Sequence, residues 1–221
     1  MTQHYLPRMG RNWKQSSMSL YHQVTGFVTG QTSITVTHGA TPSEGDVLLM
    51  QIAHTTILDP TGVTLPSGWN MVTLTTSAPG NGLFIKTATA SEPSSYTFST
   101  LPSGNYGWAY FNLRGVFVMP DIGLAARVTT TVAGTYTTPS FTVCYPGIGI
   151  SVLGKSTTTA WDPSPGSWSL ISGSGQGKAA YRIFTDVDGA ETITWALTPP
   201  GATSTNICHL AVLLDCNYTK H

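Results

Sequence analysis

Pro66-Ser67-Gly68-Trp69-Asn70-Met71-Val72 returns about a hundred positions later as Pro165-Gly166-Ser167-Trp168-Ser169-Leu170-Ile171. The flanking sequence returns in the same order. Leu83-Phe84-Ile85-Lys86-Thr87 matches Ala179-Ala180-Tyr181-Arg182-Ile183, and Tyr96-Thr97-Phe98 matches Ile193-Thr194-Trp195. Trp108–Arg114 matches His209–Asp215, and only the loop lengths drift. So long a period implies a duplicated β unit rather than a short solenoid repeat. What returns is core and turn, with no reactive constellation among it.

Between these blocks the chain is cut by Pro-Ser-Gly, Pro-Gly-Asn-Gly, Ser-Glu-Pro, Pro-Ser-Pro-Gly and Pro-Pro-Gly clusters, which break strands and set turns. The short runs left over read as strands: 34–37, 46–53, 70–76, 82–88, 95–100 and 106–116 in the first repeat. The second gives 128–132, 140–143, 147–153, 167–172, 178–185, 191–197 and 206–215. Asp46–Ala53 is almost continuously apolar, as a strand covered on both faces would be. In 106–116, Ala109, Phe111 and Leu113 alternate with Trp108, Tyr110, Asn112 and Arg114, which predicts one buried and one wetter face. No helix longer than a turn or two is expected. The expected fold is all-β, an antiparallel sandwich or jelly roll of two tandem repeats packed as one body. Its parts are an extended N-terminal arm (1–25), a first repeat (26–120) and a second (121–221). The junction 117–127 holds too many apolar residues for a free linker.

Charged residues make up 9% of the 221, against roughly 25% in ordinary soluble domains. Ser and Thr supply about a quarter of the chain. With 40% hydrophobic residues this is not a disordered composition, and its low charge suits a protein packed inside an assembly. A net charge of zero argues against nucleic acid as a partner. The only basic bias is the arm, where Arg8, Arg11 and Lys14 precede the first acid at Glu44. A basic arm on a faintly acidic body can seek an acidic groove on a partner, with Tyr5 and Trp13 adding apolar contact. No stretch has the roughly 18 apolar residues of a membrane span or the apolar run of a signal peptide.

Other motifs reduce to structure. Gly149-Ile150-Ser151-Val152-Leu153-Gly154-Lys155-Ser156 has the letters of a phosphate-binding loop, but it occupies the place of a strand in the first repeat, and no helix can follow it. Asp186-Val187-Asp188-Gly189 reads as a hairpin turn rather than a cation loop. Cys144, Cys208 and Cys216 read as reduced, because eight extended residues hold the last two too far apart for a disulfide. The six histidines show no zinc spacing, no nucleophile elbow occurs, and neither catalytic residues nor a cofactor is expected. Trp69 and Trp168 read as plugs at the ends of two cores. Trp108, Tyr110 and Trp161 are the candidates for stacking on sugar rings.

Four motifs carry a resemblance: Glu-Gly-Asp-Val-Leu-Leu (44–49), Pro-Ser-Gly-Trp (66–69), Ala-Thr-Ala-Ser-Glu-Pro-Ser-Ser-Tyr-Thr-Phe (88–98) and Phe-Asn-Leu-Arg-Gly-Val (111–116). Together they resemble a β-sandwich module of tailed-bacteriophage virion proteins and some bacterial surface proteins, in which a weaker second copy follows the first. The resemblance spans about 30–216. It implies a virion structural accessory protein, of the capsid-decoration, head-fibre or tail-fibre type, assembled in the bacterial cytoplasm. It implies other virion proteins and copies of itself as partners, and no catalytic residues. No collagen-like, coiled-coil or β-helical shaft is present, which leaves a short appendage or a capsid-surface protein. The expected docking residues are Tyr5, Arg8, Arg11, Trp13 and Lys14. The alternatives are a carbohydrate-binding receptor module of a tail fibre, reading a host surface glycan, or a polysaccharide hydrolase.

Overall fold

The computed structural model describes residues 18–54, 62–74, 80–117, 128–130, 135–137, 141–143, 147–155, 168–171, 177–184, 189–191, 194–196 and 205–215. Among these there is no helix, and every strand pairing is antiparallel. The strands are β1 (Ser19–Gln31), β2 (Ile34–Thr37), β3 (Val47–His54), β4 (Asn70–Leu74), β5 (Gly80–Thr87), β6 (Ser95–Phe98), β7 (Gly104–Arg114), β8 (Val116–Phe117) and β9 (Val128–Thr130). They continue as β10 (Thr135–Thr137), β11 (Phe141–Val143), β12 (Gly147–Lys155), β13 (Ser169–Ile171), β14 (Gly177–Phe184), β15 (Gly189–Glu191), β16 (Thr194–Ala196) and β17 (Thr205–Asp215).

Two larger sheets dominate. One runs β1-β7-β3-β5-β4; the other runs β13-β14-β12-β17-β8, with β9 also on β17. They pack face to face, β7 against β14, β3 against β12 and β5 against β17. Val47, Leu49, Leu83, Phe111 and Leu113 meet Ile148, Ile150, Val152 and Ile171 in one core. The opposite face of the five-stranded sheet is roofed by the β2–β6 pair. There Leu48, Met50, Ile52, Phe84 and Tyr110 pack with Ile34, Val36, Tyr96 and Phe98. Strand β3 is therefore buried along its whole length, and its period of two sends alternate side chains into two cores. Among the described residues there are also three smaller pairs, β2–β6, β10–β16 and β11–β15, and an isolated bridge Thr64↔Ser99.

At one corner the two sheets approach closely because two glycines face each other. Gly154 is the cross-strand partner of Gly177. A Cβ at Gly154 would lie 3.0 Å from Asn81, and one at Gly177 would lie 3.3 Å from Ala53 Cβ and from the Gly107 carbonyl. The space left there holds a polar bridge between sheets. Gln51 Nε2 donates to Asn81 Oδ1 at 3.2 Å, and Asn81 Nδ2 donates to the Val152 carbonyl at 3.5 Å.

Three expectations need correction. First, the arm does not reach residue 25. Residues 19–31 form β1, paired with β7 from Ser19↔Arg114 to Gln31↔Gly104. A bulge between Leu20 and His22 reverses the facing of the strand, so that Leu20 joins the inter-sheet core while Val24 and Val28 join the roofed one. That reversal hides the period. Second, β7 has no wet face. It is buried from Tyr106 to Leu113, because the β2–β6 roof covers the side expected to meet water. Third, the strands that flank Asp186–Asp188 are not partners: β14 pairs with β12 and β13, whereas β15 pairs with β11. Residues 186–188 themselves lie outside the described residues. The run expected at 191–197 is accordingly two short strands, β15 and β16. The segment with phosphate-loop letters is strand β12, and the Gly149-to-Lys155 stretch is extended throughout.

Gly26 sits opposite Trp108, and the indole lies across it: a Cβ at this position would be 2.1 Å from Trp108 Cζ2. Gly26→Ala must therefore push the ring out of place. The expected cost is about 1–3 kcal/mol in urea unfolding, with altered tryptophan fluorescence. An unchanged urea midpoint would refute this role for the glycine.

Candidate functional site

The four motifs that carry the resemblance converge on the loops that close the roofed core. In 44–49, Gly45 turns at φ 85° and donates its amide to the Ala88 carbonyl at 2.9 Å. The Asp46 carboxylate accepts from the Ser43 amide at 2.9 Å. It also accepts two bonds from Arg114 of the 111–116 motif, from Nε at 3.1 Å and from Nη2 at 3.0 Å. Such a paired geometry is among the stronger charge-assisted bonds. Arg114 also donates to Ser43 Oγ at 2.9 Å and stacks 3.6 Å from the centre of the Tyr21 ring.

The other two motifs meet at Lys86. In 66–69 a tight turn brings the Trp69 amide to the Pro66 carbonyl at 3.1 Å, with Gly68 at φ 80°. A side chain there would crowd Lys86, whose ammonium donates to the Ser67 carbonyl at 3.2 Å. The same ammonium pairs with Glu92 of the 88–98 motif at 2.7 Å, and the Glu92 side chain is fully buried. Glu92 further accepts from the Thr89 amide at 2.6 Å, the Thr89 hydroxyl at 2.9 Å and the Tyr96 hydroxyl at 2.5 Å. Burial pushes the Glu92 carboxyl up, but Lys86 and the bonds from Thr89 and Tyr96 outweigh it and hold the group at about 2. Burial and the adjacent Glu92 push the Tyr96 hydroxyl far up, and burial raises Tyr106 to about 12. These groups fasten loops together.

The matched tryptophans lie in aromatic surroundings. Trp69 is buried, edge-on to Tyr96 and Phe98 at 5.2 Å each. Trp168 is buried edge-on to Phe184 at 6.0 Å. Two residues beyond each stands a large exposed apolar side chain: Met71 at 46% and Leu170 at 39%. These stand on β4 and β13, the terminal strands of the two sheets. Tyr21, Phe27 and Ile183 are the other large exposed apolar side chains among the described residues.

The expected sugar-stacking face is not formed by β7. Tyr110 is 0% exposed, packed against Tyr96 and His38, and Trp108 is 9% exposed, with its indole laid across Gly26 of β1. Trp161, the arm residues Tyr5, Arg8, Arg11, Trp13 and Lys14, and the cysteines Cys144 and Cys216 lie outside the described residues. Among the described residues no group of three His, Cys, Asp or Glu could hold a metal ion. Also among them, no helix is long and apolar enough to cross a membrane. Sequence reasoning missed the Lys86–Glu92 and Asp46–Arg114 pairs, although each partner lies inside or beside a quoted motif. Comparison with protein-family models, curated proteins and solved structures finds no match.

A carboxyl held below its ordinary value stabilises the fold above that value and loses the contribution as it protonates. Stability should thus fall as pH drops from about 5 toward 2. Glu92→Gln should remove part of this dependence and, by stranding the Lys86 charge, cost about 3 kcal/mol at neutral pH. Urea unfolding of both proteins across this range measures it. An identical slope in the two proteins would show that Glu92 is not responsible.

Proposed function

We propose that this chain is a structural accessory protein of a bacteriophage virion, a capsid decoration protein or a short head or tail appendage. Its N-terminal arm docks on the particle, and its β body covers the surface or projects from it. We read that body as an antiparallel sandwich of two tandem repeats. The strand orders β1-β7-β3-β5-β4 and β9-β17-β12-β14-β13 correspond position by position, with β8 sharing the place of β9. Packing of β7 on β14, β5 on β17 and β3 on β12 then relates the halves by an approximate twofold axis near β3 and β12.

The observation that carries the reading is the pair of terminal strands. β4 (Asn-Met-Val-Thr-Leu) and β13 (Ser-Leu-Ile) contain no charge and no proline, the usual devices that protect a sheet margin. Each presents a large exposed apolar residue at the same step after a buried tryptophan. Residues 60–85 and 163–177 contain no charged side chain at all. Such margins suit a surface that meets neighbouring protein, where apolar burial and added strand pairing hold subunits together. The motifs behind the phage resemblance fit the same picture, since their polar groups fasten loops.

Removal of residues 1–17 should leave the β body folded, with an unchanged far-ultraviolet dichroism spectrum, and should abolish incorporation into particles. Continued incorporation would overturn the docking role of the arm. Met71→Lys with Leu170→Lys should change the stability of the isolated protein by no more than about 0.5 kcal/mol and lower the number of copies bound per particle. Unchanged copy number would exclude these margins as contacts.

A further inference from the structure

Where β1 pairs with β7, at the polar end of the roofed core, four atoms of three neighbouring side chains have no protein hydrogen-bond partner and are shielded from solvent. They are His22 Nε2, the Tyr110 hydroxyl and both amide atoms of Asn112. His22 is the cross-strand partner of Asn112 in the β1–β7 ladder, so the two side chains share a face. Tyr110 stands two residues along β7 on that same face. The loop after β2 closes over them. The His38 ring stacks on Tyr110 at 5.7 Å, and a methyl group at Gly39 would lie 3.9 Å from His22 Cε1 and Nε2. That lid is pinned, since the His38 ring nitrogens lie 3.1 Å from the Ala40 carbonyl and 2.6 Å from the Pro93 carbonyl.

The chemistry of the four atoms restricts the guest. Asn112 offers a donor and an acceptor, the Tyr110 hydroxyl can do either, and His22 Nε2 takes whichever role its tautomer permits. A matching guest both donates and accepts. It is also neutral, because the flanking charges are already matched, Arg114 with Asp46 and Lys86 with Glu92. With Gly39 this close to His22 and His38 stacked on Tyr110, the lid favours a small guest. A buried primary amide is costly unless its bonds are met, and internal water is the usual means of meeting them.

We propose that His22, Tyr110 and Asn112 form an internal binding site for one or two water molecules, which tie β1 to β7 beneath the His38–Gly39 lid. Water–protein cross-relaxation in solution NMR of the full-length chain tests this. The solvent resonance should show slow-water cross-peaks to the Asn112 side-chain amide protons and the Tyr110 hydroxyl proton, from residence longer than about a nanosecond. Tyr110→Phe should weaken the Asn112 cross-peaks without unfolding the protein. Asn112→Leu should abolish the Tyr110 cross-peak and lower the folding equilibrium constant at least about tenfold. A direct scalar coupling between His22 Nε2 and the Asn112 amide with no water cross-peak would overturn the site. So would an Asn112→Leu variant more stable than the parent, because a dry and unmet amide is improved by an apolar replacement. Should Asn112→Leu fail to fold, the parent and Tyr110→Phe spectra decide alone.

Discussion

The fold depends on β3 being covered on both sides. Every residue from Val47 to His54 is buried, and alternate side chains serve different cores. A buried aliphatic side chain of this size contributes about 1.5–3 kcal/mol relative to exposure. Leaving either face of β3 open to water would forfeit several such contributions. The six-stranded sheet and the β2–β6 pair are therefore equally necessary. The low charge of the chain follows from the same arrangement, since stacked layers leave few fully solvated strand faces on which Lys or Glu could stand.

With the layers held by apolar burial, polar residues are left with the task of closing loops over the ends. Asp46 and Arg114 join the start of β3 to the end of β7. Lys86 and Glu92 join β5 to the loop before β6, with Tyr96 and Thr89 completing the shell of donors around the carboxylate. A Lys, a Glu, two Tyr and a His in one buried neighbourhood have the look of a reactive centre. Here the hydrogen bonds of Lys86, Glu92, Tyr96 and His38 run to turns and to one another, which is what a scaffold needs where several loops meet.

Much of this was readable from residues alone, and the failures share one cause. Ile34–Thr37 alternates cleanly and is strand β2 over those same residues. The apolar run at 46–53 marks a strand covered twice, and the phosphate-loop letters fall on strand β12 as far as Lys155, as the matching strand of the first repeat predicts. Local period sufficed in each case. It failed where a distant segment decides the outcome. Trp108 and Tyr110 carry polar tips, so their face of β7 reads as wet until the β2–β6 roof is placed over it. β1 itself is masked by Gly26, by polar Gln23 and Thr25, and by the bulge at Tyr21. The pairing of β15 with β11 rather than β14 spans more than forty residues, and no turn signature announces it. Of the candidate site residues, only Trp108 and Tyr110 fall among the described ones, and both misled for this reason.

The pairing of Ser19 with Arg114 also orders events during synthesis. Strand β1 leaves the ribosome first among the described segments, yet its hydrogen-bonding mate is made some ninety residues later. Closing so wide a loop carries an entropic penalty that no local contact offsets. The nascent chain must therefore hold Leu20, Val24, Phe27 and Val28 unpaired until β7 emerges. During that interval a neighbouring nascent chain could lend its own β7, so the last strand to join the first sheet is also the one most exposed to exchange between copies.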